Sequence, residues 1–380
     1  MRTVWAAAAT IGLVGLISVA YAQTQPPQPR VPLAEEVFRN VPLLRGMPVD
    51  EFMDTMGMFA SATSLNCTDC HTADTNDSWA NFADETPLKQ TARRMIVMVD
   101  TINKMNFGGQ RRVTCFTCHQ GGPRPKDIPN LAIQYGAPVE DPNDINIVVP
   151  NVPGLPTAAQ VFDNYIKALG GAARLGALTG YVARGTYSGF DTGHVDVAVE
   201  IYARAPDQRA TVVHAPFGDK VSTYDGRAAW VASADRPIPL MPLTGGNLEG
   251  ARVDALVAFP AHIRQAFAQW RVATTTIDDR DVYVAQGTRP GQLPVNFYFD
   301  QKSALLVRTV RWNDTAVGRV PTQTDYADYR EVAGVKVPFR TTATWTNGQH
   351  TITLTDVQAN APIDAARFGR PAPAPPPKLQ

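Results

Sequence analysis

Cys67-Thr68-Asp69-Cys70-His71 and Cys115-Phe116-Thr117-Cys118-His119 are two copies of one pattern, and they use all four cysteines of the chain. Two thiols three positions apart, followed at once by an imidazole, form the C-x-x-C-H signature of covalent haem attachment. The spacing has a chemical reason. The thiols reach the two vinyl groups of one porphyrin as thioethers, and the adjacent histidine then lies under the ring with a nitrogen toward iron. Cys67, Cys70, Cys115 and Cys118 are therefore read as tethers of two covalently bound haem c groups. His71 and His119 are read as the proximal iron ligands. Zinc ribbons set their Cys pairs about 15 to 20 residues apart and need no histidine after each, and a thioredoxin-type pair does not explain the repeated histidine.

The sixth ligand decides the potential and whether the iron is open to small molecules. The remaining histidines, His194, His214, His262 and His350, all lie far downstream and read as ordinary surface or core residues, whereas seven of the nine methionines fall between residues 47 and 105. Met53/Met56 and Met95/Met98 sit at i, i+3 spacing on amphipathic helices, a pattern that also serves a Met-rich core. Spacing alone leaves the choice among them open.

Residues 36 to 126 resemble the cytochrome c subunit of photosynthetic reaction centres, in which a Met-bearing helix precedes each C-x-x-C-H. The first unit runs through Val49-Asp50-Glu51-Phe52-Met53-Asp54-Thr55-Met56 to Asn66-Cys67, and the second through Thr91-Ala92-Arg93-Arg94-Met95 to Val113-Thr114-Cys115. The resemblance implies Met56 and Met95 as the distal iron ligands. It implies electron transfer with both irons closed. The chain departs from that family in carrying two motifs rather than four, in lacking a lipid-anchor cysteine, and in having Asn106-Phe107-Gly108-Gly109 where a further histidine ligand would lie.

Haem propionates need cationic or hydrogen-bonding partners, and Arg93, Arg94, Arg111 and Arg112 are the candidates near the second motif. The whole chain balances 35 Lys and Arg against 35 Asp and Glu, so no global basic field marks nucleic acid as a partner. Locally, residues 30 to 150 carry 11 basic and 15 acidic side chains. Such a face suits a redox partner that presents Lys or Arg.

The ends and the larger remainder complete the reading. Met1-Arg2, an apolar run from Val4 to Val19 and Ala20-Tyr21-Ala22 read as a signal peptide over residues 1–22, which implies a periplasmic or other extracytoplasmic location. A flexible segment, 23–35, precedes the dihaem region, 36–126. Eight prolines between residues 121 and 156 mark a linker over 127–156, and a Pro-rich tail covers 370–380. Between linker and tail, 157–369 reads as a second domain.

That domain opens with Thr157-Ala158-Ala159-Gln160, a capping box before a helix from Val161 to Leu169. Alternating runs at Val195–Ala203, Ala210–His214, Val282–Gln286, Val295–Phe299 and Leu305–Trp312 predict strands. Asp225-Gly226 and Asn347-Gly348 predict hairpin turns, and a second helix is expected from Val253 to Trp270, interrupted near Pro260. The fold class expected is α+β multidomain: a mainly helical dihaem cytochrome c domain, then a curved antiparallel β half-barrel with packed helices. In element order the second part resembles the LolA-type lipoprotein carriers. A concave apolar face of this kind could hold a lipid or a quinone, with the haems as redox sensors, against a docking module with a filled core.

The function expected is transfer of electrons between redox partners such as a reaction centre, an oxidase or a dehydrogenase. The enzymatic alternative is a dihaem peroxidase, which needs an iron able to open its sixth position. No catalytic constellation such as G-x-S-x-G or H-E-x-x-H occurs, so no catalytic residue is expected.

Overall fold

The computed structural model describes residues 30–72, 78–125 and 154–375. The expected signal peptide, nearly all of the Pro-rich linker and the last five residues lie outside them. All of the elements that follow belong to one compact unit, which begins at Pro32.

The first part of that unit is helical. It comprises α1 (Ala34–Val37), α2 (Val49–Thr63), the single turn α3 (Cys67–Cys70), the long α4 (Pro87–Phe107) and α5 (Cys115–His119). Local chemistry sets the boundaries. Thr86 caps α4 by accepting from the Lys89 amide, Pro87 opens it, and Gly108 ends it at φ 59°. Asn66 and Thr114 cap α3 and α5 with reciprocal hydrogen bonds, so each Cys pair is wound into a closed turn by the residue just before it.

The second part is an open antiparallel sheet. Its thirteen strands are β1 (Gly180–Gly189), β2 (Val197–Arg204), β3 (Gln208–Ala215), β4 (Gly218–Tyr224), β5 (Ala229–Ala232), β6 (Leu240–Pro242), β7 (Gln269–Ile277), β8 (Arg280–Thr288), β9 (Val295–Asp300), β10 (Leu306–Thr315), β11 (Gly318–Val332), β12 (Val335–Trp345) and β13 (Gly348–Ala359). They lie in the order 6-5-4-3-2-1-13-12-11-10-9-8-7, so the first and last strands pair in the middle and the edges are β6 and β7. The α+β class and the half-barrel are as expected.

Three helices pack on one face: α6 (Ala158–Leu169), α7 (Ala172–Ala177) and α8 (Gly245–Ala258). Thr157 caps α6 in the expected box, and Gly170 closes it. Phe162 and Tyr165 of α6, both fully buried, meet Phe299 of β9 with ring centroids 5.7 and 5.0 Å away. A buried ring of this size contributes about 2–3 kcal/mol, so this seam is a main source of cohesion between helices and sheet.

Two expectations are corrected. The helix expected from Val253 to Trp270 begins at Gly245 and ends at Ala258, a 3-10 segment spans Pro260–Ala266, and Trp270 lies in β7. Gly245, Gly246 and Gly250 disguise its start, because glycine disfavours helix. They serve a close approach instead. A Cβ at Gly246 would lie 1.4 Å from Asn313 Oδ1, and one at Gly250 would lie 2.3 Å from Arg311 Cζ. The second hairpin also turns one residue early: Trp345 pairs with Gly348, which leaves Thr346-Asn347 as the loop. The Trp345 ring occupies the place of a Gly348 Cβ, so that glycine answers to packing.

Candidate haem-binding site

α2 lies against the sheet and carries the first candidate ligands. Asp50 and Asp54 on one side of it accept hydrogen bonds from the far part of the chain: Thr244 N (2.6 Å) and Thr244 Oγ1 (2.8 Å) to Asp50, and Asn247 Nδ2 (2.8 Å) and Asn313 Nδ2 (2.7 Å) to Asp54. Burial pushes both carboxyls above the usual range, and the hydrogen bonds pull partly back. On another side Met58 and Ala62 pack with Cys115, Val317 and Val320. The helical part is thus seated on the β10–β11 end of the sheet.

The two motifs face one cavity. It holds about 540 Å³, within the usual range for cofactor and ligand pockets, and Cys67, Cys70, His71, Cys115 and His119 line it. Met56 and Met95 line it as well. The other methionines divide clearly. Met53 also reaches this cavity, whereas Met58 is buried against the sheet, the Met47 sulfur accepts a hydrogen bond from Thr55 Oγ1, and Met98 and Met105 are exposed.

Both histidines are oriented by backbone. His71 Nδ1 lies 3.0 Å from the Phe82 carbonyl oxygen, and His119 Nδ1 lies 3.0 Å from that of Gly122. A carbonyl can only accept, so Nδ1 donates in both rings, and in the neutral tautomer that this selects, Nε2 keeps a free lone pair. That is the state an iron-ligating imidazole requires. Burial first, then the Lys89 charge, lowers the pKa of His71 and keeps the ring neutral. Burial likewise pushes the Cys115 thiol up to about 11, and raises that of Cys70. The donors that line the cavity, Cys67, Cys70 and His71 from the first turn, Cys115 and His119 from the second, and the thioethers of Met56 and Met95, are of the kinds that hold haem c.

The remaining candidates are dispersed. Cys118 is exposed and outside the cavity lining. Arg93 lines the cavity while donating to Glu85 Oε1 at 2.5 Å and to the Asn40 carbonyl at 3.3 Å. Arg111 donates to the Thr315 carbonyl, Arg112 to Gln110, and Arg94 to Thr91 Oγ1 on the exposed side of α4. Sequence reasoning gave no role to Asn103. It is buried on α4, donates to the Val113 carbonyl at 2.7 Å and accepts from the Arg112 and Val113 amides at 3.0 and 2.9 Å, fixing the strand of chain that enters the second motif. The carbonyls of Phe82 and Gly122 were equally hidden, because a backbone oxygen has no side-chain signature.

Residues 16–146 match the model of the family described as photosynthetic reaction centre cytochrome C subunit, and residues 250–356 match a family of unknown function (DUF6544). The photosynthetic reaction center cytochrome c subunit of Rubrivivax gelatinosus is 35% identical over 102 residues, 26% of each chain. That of Thermochromatium tepidum is 35% identical over 99 residues, 25% of this chain and 23% of the relative. The chain thus spans about a quarter of the length of these curated relatives. Among solved structures, a LolA superfamily protein from Nitrosomonas europaea aligns with 57% of this chain and 98% of its own at 13% identity and a TM-score of 0.38. A putative outer membrane lipoprotein-sorting protein domain from Vibrio parahaemolyticus gives 56%, 97%, 11% and 0.38. The motif-bearing region of this chain is similar in sequence to the cytochrome c subunit of photosynthetic reaction centres.

Proposed function

We propose that the chain is a dihaem c-type cytochrome that passes electrons between redox partners outside the cytoplasm. One observation carries the reading: each C-x-x-C-H is wound into a capped turn, and both histidines, with Nδ1 given to a backbone carbonyl, share a cavity with Met56 and Met95. When bound there, haem supplies one-electron iron chemistry. The chain's own residues do the rest. His71 and His119 would hold iron through Nε2, and Met56 and Met95 would hold it through their thioethers, a donor set that would raise the potential and suit electron transfer better than peroxidase chemistry. Of the four arginines near the second motif, Arg93 is the one that lines the cavity, where Arg39 also stands, and it is the best-placed propionate partner of the four; Lys89, with Nζ 2.9 Å from the Phe82 carbonyl, steadies the acceptor that orients His71.

The acidic balance around the motifs supports a partner presenting basic side chains, and the apolar leader supports export. Among the described residues, no helix is long and apolar enough to cross a membrane.

Replacing Met56 or Met95 by Ala tests the ligand assignment. Each change should remove part of the thioether-to-iron absorption band and lower one of two reduction potentials. A band and potentials unchanged in both variants would overturn it.

A further inference from the structure

The helix α4 shows two faces. Ala92, Met95 and Ile96 line the haem-type cavity, and Val99 and Asn103 are buried further along the same side. On the opposite side, at helical spacing, Arg94, Val97, Met98, Thr101, Lys104 and Met105 form an exposed stripe, with Met105 78% exposed. Phe107 at the end of the helix and Phe116 inside the second C-x-x-C-H turn are exposed as well. Charge around this face has one sign. In residues 94–125, Arg94, Lys104, Arg111, Arg112 and Arg124 stand against a single acid, Asp100, and Lys104 holds that acid at 2.6 Å. Where Arg111 reaches the Thr315 carbonyl of the sheet, Asp314 is taken by Arg319 at 3.0 Å. Residues 30–93 are the reverse, with 5 basic and 10 acidic side chains.

Single exposed apolar side chains are ordinary, but several large ones on one helix and the turn that follows it, ringed by arginine, have the make-up of a protein interface, in which Met, Phe and Arg are enriched. We propose that this face of α4 is the docking surface for a redox protein whose own contact face is acidic around an apolar centre. The choice of a redox protein rests on the dihaem reading. Met95 is on the cavity side of the same helix, so a protein seated on the stripe stands one helix thickness, about 10 Å, from the cavity. Methionine adapts its shape to a partner that must leave after one electron. The acidic excess of residues 30–93 suits a basic partner instead, so the two motifs take partners of opposite charge.

Stopped-flow mixing of the reduced full chain with plastocyanin, an acidic blue-copper protein, tests this: one electron leaves ferrous haem for Cu(II), giving ferric haem and Cu(I). The second-order rate constant should fall about tenfold as ionic strength rises from about 10 to about 200 mM, and about tenfold at low salt in Lys104→Glu/Met105→Glu, with absorption spectrum and potentials unchanged. A rate indifferent to both changes would overturn the proposal. So would vesicles of phosphatidylglycerol that bind the unaltered chain and not the variant while the plastocyanin rate stays the same, which would assign the face to a membrane surface. Calorimetric binding of plastocyanin at low salt should also be lost in the variant. Haem content of the same samples separates the two readings: binding lost in the variant, with fewer than two haems on the unaltered chain, defeats the dihaem reading and leaves the docking face standing.

Discussion

The two C-x-x-C-H turns have the same sequence pattern and different foundations. The first is built from its own neighbourhood: His71 is oriented by Phe82, Thr86 Oγ1 donates to the Cys70 carbonyl at 2.5 Å, and Trp79 stacks on Phe82 with centroids 4.9 Å apart. Cys67 there is exposed. The second is bolted to distant chain. Cys115 is buried with Met58 and Val317, its amide donates to the Val317 carbonyl at 3.4 Å, Gly121 N donates to the Ala62 carbonyl at 3.0 Å, and Ser64 Oγ to the Gly121 carbonyl at 2.6 Å. The difference teaches that the sheet is part of the surroundings of the second turn and only a support for the first. On the dihaem proposal, changes in the sheet should therefore reach the second iron selectively.

Gly318→Val attacks that selectivity most strongly. A Cβ at Gly318 already falls 2.3 Å from Met58 Cε and 3.3 Å from Thr114 Cβ, so a valine must displace the Met58 thioether that packs with Cys115 and crowd the cap of the second turn. Overpacking of this kind costs about 1–3 kcal/mol, visible as a lowered thermal midpoint. The absorption and potential of one haem should change while the other keeps both; equal disturbance of the two would break the comparison.

Asn103→Ala removes a clamp that belongs to the helical part alone. It strands the Val113 carbonyl and two amides, and should cost about 1–2 kcal/mol in denaturant unfolding. Its effect should also fall on the second haem, because Asn103 holds the chain just before Cys115. A shift confined to the first would contradict the assignment.

Asp54→Asn is the mildest change and is read as a trend with pH. Desolvation raises the folded pKa of Asp54 above its unfolded value, so the protonated form is favoured in the fold, and its contribution to stability falls as pH rises through that window. Asparagine does not titrate. Relative to the variant, the wild type should therefore gain stability on acidification from neutral pH, as followed by thermal unfolding at a series of pH values. A gap that widens the other way would mean that the ionised carboxylate is the stabilising form.

The contrast between local and distant foundations also explains what the sequence made legible. The two C-x-x-C-H turns were readable because all their residues lie within five positions. Thr157, Gly170 and Asp225-Gly226 were readable for the same reason: caps and turns are local. Asp225 Oδ1, for example, accepts from the Arg227 and Ala228 amides at 2.8 Å each. The seating of α2 was not readable. Asp50 looks like a solvated acid of the first helical turn and Asp54 like one on an exposed face, and their partners Thr244, Asn247 and Asn313 lie far along the chain. The start of α8 was misread because Gly246 and Gly250, penalised as helix formers, are required by the nearness of Asn313 and Arg311. Nothing in local spacing announces such contacts.

Haem stoichiometry tests the central claim most directly. The full chain, matured with a haem-attachment system and analysed by intact mass and by pyridine haemochrome, should carry two haems. Cys67→Ser/Cys70→Ser and Cys115→Ser/Cys118→Ser should each carry one. A folded chain with no covalent haem, or a single haem in the unaltered protein, would contradict the account.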